Sequence, residues 1–304
     1  MEKITERVGR DFDGRLIKDF LRQRLSLSAT LVKKVKFGGV FVNGENVHMR
    51  RILSEGDLVE VILPKEDSEF VAPIDMPLDV IYEDEYILAV DKPINMPTHP
   101  SKHNSLVTLA NLVRAYIGES FVFRAITRLD RDTSGIVLIA KDQISAGLLS
   151  EEMKRGRIKK TYTAILSQTP SEPEGIIDAP IERESPDSIK RIVREDGKRA
   201  ITEYRVKEML PDGRAICEVT PITGRTHQIR VHMAHIGHPL VGDEVYGGGR
   251  IRFEKLHASL LDGQILHAKK LTLTHPRTKG KMEFEAPLPE NFEKLLNILN
   301  TQKD

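Results

Sequence analysis

This 304-residue sequence has a single cysteine, no long apolar run and no strong net charge. The single Cys217 cannot form an internal disulfide, and it excludes a metal site built from several cysteines. No stretch approaches the roughly 18 consecutive apolar residues of a membrane span, and the N-terminal MEKITERVGRD lacks the apolar core of a signal peptide. We therefore expect a soluble protein of the reducing cytoplasm, without a membrane partner.

Sequence motifs for nucleotides and metal ions are also absent. There is no Walker loop and no dinucleotide-binding fingerprint, and the glycine run at 247–249 is too weak a signal for a phosphate loop. Four histidines lie close together, yet no Cys, Asp or Glu completes a zinc pattern and the HExxH arrangement is missing. A metallohydrolase would need these histidines together with a bound metal ion. We expect no cofactor and no metal. These histidines are His227, His232, His235 and His238.

Positive charge is concentrated near the N-terminus, although the formal net charge of the whole chain is only +1. Residues 14–51 contain nine lysines and arginines against two acidic residues, which gives a local charge of +7. A basic surface of this kind suits RNA because the neutralisation of phosphates releases counterions. It can also be a solvated face without a partner. The residues that we expect to contact RNA here are Arg15, Arg22, Lys33, Lys34 and Lys36.

The same N-terminal segment has the pattern of two short helices followed by a small sheet. Apolar residues at helical spacing predict a helix over about 14–25, and Ser28 can cap a second helix. An Asn-Gly turn at 43–44 then separates two apolar runs, which predicts strands. Over residues 12–63 this order resembles the S4 RNA-binding module, including the GGVFVNG hairpin. The resemblance implies an S4-like RNA-binding domain over residues 1–64.

A segment rich in proline and charge, residues 65–77, has the composition of a linker. We therefore expect a second domain over residues 78–304, with the N-terminal domain separate and mobile. Strand patterns open this second domain and lead to a loop that begins Lys92-Pro93, to which we assign no catalytic role. Between residues 171 and 200 the chain reads as an exposed excursion, whose basic residues either touch RNA or are simply solvated.

The most informative stretch, residues 126–142, reads ITRLDRDTSGIVLIAKD. It combines a charged loop, a Thr-Ser-Gly turn and an apolar segment at 136–140, which predicts a buried strand. Asp130 stands between Arg128 and Arg131, shortly before that turn. Taken alone, such a charged triplet is usually a weak ion cluster on the surface.

This stretch resembles the signature of the RluA-type family of RNA pseudouridine synthases, in which His-Arg-Leu-Asp precedes Thr-Ser-Gly and an apolar strand. The resemblance implies that Asp130 is the catalytic residue, and we expect it to act as the nucleophile. Attack on C1′ of the sugar, attack on C6 of the base and assistance of glycal formation all stay open. Arg128, beside Asp130, is placed to fill the space left in the RNA when the target base is extruded. Thr127 stands where the family usually has histidine. Because that histidine is not the family's nucleophile, we expect the difference to affect details of the site and not the reaction itself.

Two further motifs match the same family. The segment IKKTYTAIL, residues 158–166, reads as a strand and carries Tyr162, which in an arbitrary protein is usually a core residue. The resemblance implies instead that Tyr162 stacks on the target uracil, and a second role in removing the C5 proton stays open. In the segment TGRTHQIR, residues 223–230, the resemblance implies that Arg225 pairs with Asp130.

Together these patterns predict an α+β protein. Its catalytic domain has a mixed, largely antiparallel sheet flanked by helices, and a small N-terminal S4-like α/β module is added to it. The implied activity is the isomerisation of uridine in RNA, with ribosomal RNA of the large subunit favoured over transfer RNA, by a monomer. The alternative is a non-catalytic S4-type RNA-binding or ribosome-assembly factor, which would not need Asp130, Tyr162 and Arg225 together.

Overall fold

The computed structural model describes residues 3–65, 71–100, 107–118, 120–247 and 263–301. These residues form a small N-terminal unit, residues 3–65, and a larger unit that is built on one long sheet. Residues 66–70 of the expected linker and the glycines at 248–249 lie outside the described residues. No helix within the described ranges is long and apolar enough to cross a membrane.

The N-terminal unit packs two short helices on a small sheet. Its elements are β1 (Lys3–Arg7), a 3-10 turn (Arg10–Phe12), α1 (Ile17–Gln23), α2 (Ala29–Val35), β2 (Val40–Val42), β3 (Glu45–Asn46) and β4 (Leu58–Ile62). The strands are antiparallel and lie in the order β1-β4-β2-β3. Phe20, Leu21 and Val59 are fully buried in the core between the helices and the sheet. The predicted cap of α2 is confirmed, because Leu31 N donates to Ser28 Oγ at 3.1 Å.

The larger unit contains a nine-stranded sheet and a separate two-stranded hairpin. Its strands are β5 (Asp79–Glu83), β6 (Ile87–Lys92), β7 (Ser134–Ala140), β8 (Lys159–Leu166), β9 (Glu174–Asp178), β10 (Ile181–Arg183), β11 (Arg191–Val193), β12 (Ile201–Met209), β13 (Ala215–Pro221), β14 (Leu266–Thr274) and β15 (Lys281–Glu285). The sheet order is β5-β6-β7-β14-β8-β13-β12-β9, with β15 paired to β14. Among the described strands of this sheet, only β7 and β14 pair in parallel. The prediction of a mixed, largely antiparallel sheet is confirmed.

Helices cover both faces of the large sheet. They are α3 (Leu109–Ile117), α4 (Gln143–Lys154), α5 (Gln228–His235) and α6 (Glu290–Thr301). Alternate residues of β6 and β7 belong to two different apolar cores, one on each face, and all seven residues of β7 are buried. Helices α3 and α5 contribute to the first core, whereas α4 contributes to the second. A strand buried on both faces reads as an unbroken apolar run, which is the pattern seen at 136–140.

Residues 171–200, which we expected to be an exposed excursion, are partly built into the sheet. Strand β9 pairs with β12 and ends the order of the sheet, and β10 pairs with β11 in the hairpin. Only Ile177 of β9 is buried, and the exposed positions carry two acidic residues, Glu174 and Asp178, beside Ile176. An edge strand with one covered face can be highly charged, which is why its composition resembles that of a loop.

The N-terminal unit is not separate from the larger unit, because it packs on α4. Ile144 of α4 belongs to the apolar core of the N-terminal unit. Gly147 approaches Ser28 so closely that a Cβ at position 147 would lie 2.7 Å from the Ser28 Cβ. One turn further on, Glu151 faces the same unit, and its carboxylate accepts a hydrogen bond of 3.2 Å from Ala29 N. Helix α4 is therefore shared by both units.

Arg22 has a different place from the one that we predicted. Its guanidinium forms an ion pair with Glu151 through two contacts, with N–O distances of 2.7 and 3.4 Å. It also donates to the Leu27 carbonyl at 2.8 Å, and only 30% of its side chain is exposed. Because α1 turns this face towards α4, Arg22 connects the two units and is not free to bind RNA.

We predict that Gly147→Leu displaces the N-terminal unit from α4. Leucine is the better helix former by roughly 0.5–1 kcal/mol, so any loss reflects the collision with Ser28, which cannot move freely because it caps α2. Distances between spin labels on cysteines placed at the exposed Lys34 and Lys154 measure the effect. They should lengthen and their distribution should broaden.

Ser150→Leu is the matched control for this experiment, because Ser150 lies on the exposed face of the same helix. The control should keep the distances of the unmodified protein. A Gly147→Leu variant that also keeps them would show that the contact between the two units does not depend on this close approach.

Candidate active site

A cleft of about 720 Å³ opens where the loop before β7, strand β8 and the turn before α5 meet. The four site residues that we predicted in the larger unit, Arg128, Asp130, Tyr162 and Arg225, all line it. Its size is typical of a site for a small molecule or a single nucleotide. Among the described lining residues Asp130 is the one acid, whereas five are basic: Arg128, Arg131, Lys160, Arg225 and Arg230. The cleft is therefore positively charged.

The loop that carries Asp130 is held from below by Thr98. The Thr98 hydroxyl donates to the Leu129 carbonyl at 2.9 Å and accepts from Leu129 N at 3.1 Å. The Leu129 side chain is buried in the main core, and Thr133 N donates to the Asp130 carbonyl at 3.2 Å. With the backbone fixed on both sides, the Asp130 carboxylate projects into the cleft with 29% of its side chain exposed.

Lys92 supports the same loop and was missed by the sequence analysis. It is fully buried, and its ammonium donates to three carbonyls: Pro93 at 2.7 Å, Met96 at 2.7 Å and Arg131 at 3.0 Å. Burial lowers the pKa of Lys92 to about 7, while nearby carboxylates, Asp130 among them, act in the opposite direction. Three carbonyl acceptors require three N–H donors, which only the charged form supplies. The geometry therefore favours a positive charge beneath Asp130.

The Thr-Ser-Gly turn after Asp130 is joined to β14. Gln264 donates to the buried Thr133 hydroxyl at 2.9 Å. Gly135 has φ +108°, and a Cβ there would lie 2.4 Å from the carbonyl oxygen of Ala268. Only glycine fits this position, because the parallel strand passes so close and the backbone is in a conformation that other residues rarely adopt. The turn fixes where β7 begins and hence where the Asp130 loop ends.

The ion-pair partner of Asp130 is Arg230, with Nη1 at 3.4 Å from Oδ2. The Arg230 side chain is 8% exposed, and its Nε and Nη2 bind the two oxygens of the fully buried Asp243 at 2.7 and 2.8 Å. Its guanidinium also lies 5.1 Å from the centre of the Tyr246 ring. A bidentate pair of this kind fixes a guanidinium in orientation as well as in place. One edge of Arg230 is thus committed to Asp243, and the other faces Asp130.

The expectation that Arg225 pairs with Asp130 is therefore wrong. Arg225 lies in the turn before α5, which begins only at Gln228, and its Nε donates to the Arg199 carbonyl at 3.0 Å. Its side chain is exposed at the rim of the cleft. The helix that we expected from Arg225 starts three residues later, and this places Arg230, on the buried face of α5, beside Asp130.

His227 approaches Asp130 from the other side, with Nε2 at 3.9 Å from Oδ2. Its backbone is in the left-handed region with φ 57°, a conformation that is strained for a residue with a side chain. The Tyr246 hydroxyl accepts from Arg191 N and shares a hydrogen bond with His227 Nδ1, each at 2.8 Å. Tyr246 can therefore donate its proton to Nδ1, which leaves an N–H at Nε2 directed to Asp130. Burial lowers the pKa of His227, and the charge of Asp130 opposes this.

Tyr162 lies on β8 and forms part of the cleft wall, with 7% of its surface exposed. Burial, and then the negative charge of Asp130, raise the pKa of its phenol far above the ordinary value. The phenol therefore stays protonated at neutral pH. A flat, apolar ring at the wall of a charged cleft is suited to stacking.

Arg128 is exposed at the edge of the cleft. The N-terminal residues Arg15, Lys33, Lys34 and Lys36 are exposed on the N-terminal unit, and none of them lines the cleft. Thr127 is buried, and its hydroxyl accepts a hydrogen bond of 2.8 Å from Leu138 N. Thr127 thus binds the backbone of β7 from a position at the cleft.

The clustered histidines serve different purposes. His232 is fully buried, with Nδ1 2.8 Å from the Thr202 hydroxyl and Nε2 2.9 Å from the Ala179 carbonyl, so both ring nitrogens have partners in the protein. His235 is exposed, and His227 lies in the cleft. Within the part of the chain that the structure describes, no three His, Cys, Asp or Glu residues are arranged to hold a metal ion.

The residues that sequence reasoning missed share one property. Lys92, Arg230 and His227 lie in motifs that the sequence analysis identified, but each also contacts the Asp130 loop, which is distant in the chain. The Lys92-Pro93 pair and the last arginine of TGRTHQIR were visible signals. Nothing in the local sequence indicates Asp243, which is the residue that fixes Arg230.

Comparison with known proteins identifies relatives of this chain. The family model described as RNA pseudouridylate synthase matches residues 86–235. An uncharacterised RNA pseudouridine synthase of Bacillus subtilis, YjbO, is 39% identical over 278 residues, which is 90% of this chain and 95% of that protein. The ribosomal large subunit pseudouridine synthase D of Xanthomonas campestris is 36% identical over 304 residues, 96% of this chain and 89% of that protein.

Solved structures show the same fold. Human RNA pseudouridylate synthase domain containing 4 superposes with a TM-score of 0.60 at 24% identity, covering 73% of this chain and 92% of that one. The human domain containing 1 protein gives a TM-score of 0.56 at 25% identity, covering 79% and 99%. The chain therefore belongs to the RluA-type family of RNA pseudouridine synthases, enzymes that isomerise uridine in RNA.

Proposed function

We propose that this chain converts uridine to pseudouridine in large-subunit ribosomal RNA and that Asp130 is its nucleophile. The reaction breaks the bond between N1 and C1′, turns the uracil within the site and joins C5 to C1′, while C5 loses its proton and N1 gains one. Asp130 is the one acid in the described lining of the cleft, so it is the carboxylate available for attack. This single carboxylate between fixed cations is the observation that carries the proposal.

Electrostatics explains how the nucleophile is kept ready. A base that closes the cleft removes water, and loss of water favours the neutral form of a carboxylate. Arg230 at 3.4 Å and the buried Lys92 beneath the loop place positive charge near the carboxylate. Arg230 remains charged in this buried place because Asp243 pairs with it. The site therefore places fixed positive charge next to the Asp130 carboxylate.

The walls of the cleft suit an extruded base. We assign Tyr162 the role of a stacking platform for the uracil, and not that of a base, because its phenol stays protonated at neutral pH. Arg128, exposed at the rim two residues before Asp130, is placed to occupy the gap that the base leaves in the RNA. Extrusion costs a few kcal/mol of stacking energy, and these two contacts would offset it.

The N-terminal unit supplies affinity for the RNA in this proposal, as an S4-like module. Two helices on a small sheet, with exposed lysines on α2, fit the S4 likeness of the sequence. The choice of large-subunit ribosomal RNA is supported by relatives in Xanthomonas campestris and Pseudomonas aeruginosa, which are named ribosomal large subunit pseudouridine synthases.

We predict that Asp130→Asn abolishes pseudouridine formation, with a loss of at least about a thousandfold, because the amide keeps the shape but cannot attack. RNA affinity should stay within about twofold of wild type, since the phosphate contacts are unchanged. The assay measures conversion of uridine in a large-subunit RNA transcript, beside RNA binding. Turnover by Asp130→Asn would contradict the assignment of Asp130 as the nucleophile. If the wild-type protein converted uridine only in transfer RNA, the choice of ribosomal RNA as substrate would be wrong.

A second prediction separates Arg230 from Arg225. Arg230→Met leaves the fully buried Asp243 without its partner, so it should destabilise the protein by about 3–5 kcal/mol and abolish activity. Arg225→Met removes one exposed contact and should change stability by less than about 1 kcal/mol. Thermal or urea unfolding measures both variants.

The double variant Arg230→Met with Asp243→Asn completes this experiment. It should regain part of the lost stability, because no buried charge is left unpaired, and it should stay inactive, because Asp130 still lacks its cation. If Arg225→Met were the destabilised and inactive variant instead, the pairing seen here would not be the functional one.

A third prediction concerns the basic surface of the N-terminal unit. Replacing Lys33, Lys34 and Lys36 by Gln should weaken RNA binding and reduce the slope of log affinity against log salt by roughly 0.7–0.9 for each phosphate that the variant no longer neutralises. Affinities at four or more salt concentrations give the slope. Deletion of the whole unit would be less informative, because Ile144 of α4 packs in its core and would be exposed.

The control for the charge experiment removes three exposed lysines of the larger unit by the same exchange: Lys207, Lys281 and Lys294. This variant should keep the wild-type slope. Equal slopes for both triple variants would mean that the N-terminal lysines do not contact phosphates.

A further inference from the structure

Lys160 is a cation of the cleft that has no acidic partner among the described residues. It lies on β8 two residues before Tyr162, so both side chains point to the same side of the strand, and both line the cleft. Its Nζ lies beside the turn before α5, 3.7 Å from the place that a Cβ on Gly224 would take. Burial lowers the pKa of Lys160, and no carboxylate of the described chain counteracts this.

Three of the other four cations of the cleft are engaged within the protein, and the fourth, Arg128, is exposed to solvent at the rim. Arg230 is bound by Asp243, Arg131 by Asp132 at 2.7 Å, and Arg225 by a backbone carbonyl. Lys160 makes neither a side-chain hydrogen bond nor an ion pair with the residues that the structure describes, although its ammonium is partly withdrawn from water. An ammonium that loses hydration without gaining a partner is unfavourable. A ligand with an anionic group would compensate this ammonium for its lost hydration.

The substrate carries such anions at regular spacing, because every nucleotide of RNA is joined to its neighbours by phosphodiester groups. Side chains two residues apart on a strand are separated by roughly 6.6 Å. A nucleotide whose base stacks on Tyr162 would therefore bring one of its flanking phosphates towards Lys160. The single-point charge of a lysine, with its three donors, is suited to a phosphate oxygen.

We propose that Lys160 binds a phosphodiester group adjacent to the target uridine and so holds the extruded nucleotide over Asp130. The proposal rests on the function proposed above, to which it adds a specific contact with the RNA backbone inside the cleft. Lys160 acts on the position of the nucleotide and takes no part in bond breaking.

The adjacent Lys159 provides a matched control. It is also a lysine of β8, but it points to the opposite side of the strand and is exposed. Lys160→Met should reduce kcat/KM for pseudouridine formation by roughly 10- to 100-fold, as expected for the loss of a hydrogen bond to a charged group. Lys159→Met should stay within about twofold of wild type. Both variants should melt close to the wild-type temperature, since neither lysine holds the described fold together by its charge.

The decisive measurement uses RNA in which one flanking phosphate at a time is replaced by a neutral methylphosphonate. With wild type and Lys159→Met, one of these replacements should reduce kcat/KM by a factor similar to that of Lys160→Met. With Lys160→Met the same replacement should have an effect of less than about threefold, because its partner is already gone. Lys160→Arg, which keeps the charge, should retain the sensitivity of wild type.

Additive losses, in which Lys160→Met and the neutral phosphate each reduce the rate independently, would overturn the proposal. So would a Lys160→Met variant with unchanged kcat/KM. If that variant fails to fold, Lys160→Gln is compared in the same way. Failure of the proposed function would look different, because wild type would then not convert the unmodified RNA.

Discussion

The buried pair of Arg230 and Asp243 is the interaction on which the site depends. Asp243 has no exposed side-chain surface, and it binds Arg230 through both oxygens while one of these also accepts from the backbone of Val245 and Tyr246. Asp243 thus fixes Arg230 beside Asp130. It also fixes Tyr246, which orients His227. Without Asp243 this buried guanidinium would keep only its longer contact with Asp130, at 3.4 Å, and would lose both of its short ion-pair contacts.

Lys92 provides the matching constraint from beneath the loop. Its three hydrogen bonds to carbonyls tie together the segments after β6 and before β7, so the backbone of the Asp130 loop has little freedom. Two fixed cations near one carboxylate have a common effect, because the attraction of both to its negative charge strengthens when solvent is excluded. They also leave the cleft positive, which suits a polyanionic substrate.

Helix α4 links this chemistry to the N-terminal unit. Ile144 packs in the N-terminal core and Glu151 holds Arg22, while Met153, near the end of the same helix, lines the cleft. The surface that we propose for RNA affinity and the cleft that we propose for chemistry are therefore attached to one rigid element. An RNA bound by the lysines of α2 would be held at a defined position relative to Asp130, which favours reaction by orientation.

Local patterns were sufficient for most elements of this fold, although not for β9, β10 and β11, and for Asp130 and Tyr162 as candidates. An unbroken apolar run marks a doubly buried strand such as β7, a serine before a helical pattern marks a cap, and family motifs point to single residues. The partner of Asp130 was assigned to Arg225 and is Arg230, and Arg22 was assigned to RNA and binds Glu151. Both errors concern charged side chains, whose partners lie 100 and 129 positions away in the chain. Composition and periodicity report which face of an element is buried, but an ion pair depends on which distant carboxylate the folded chain brings within reach, and that is decided only by tertiary packing.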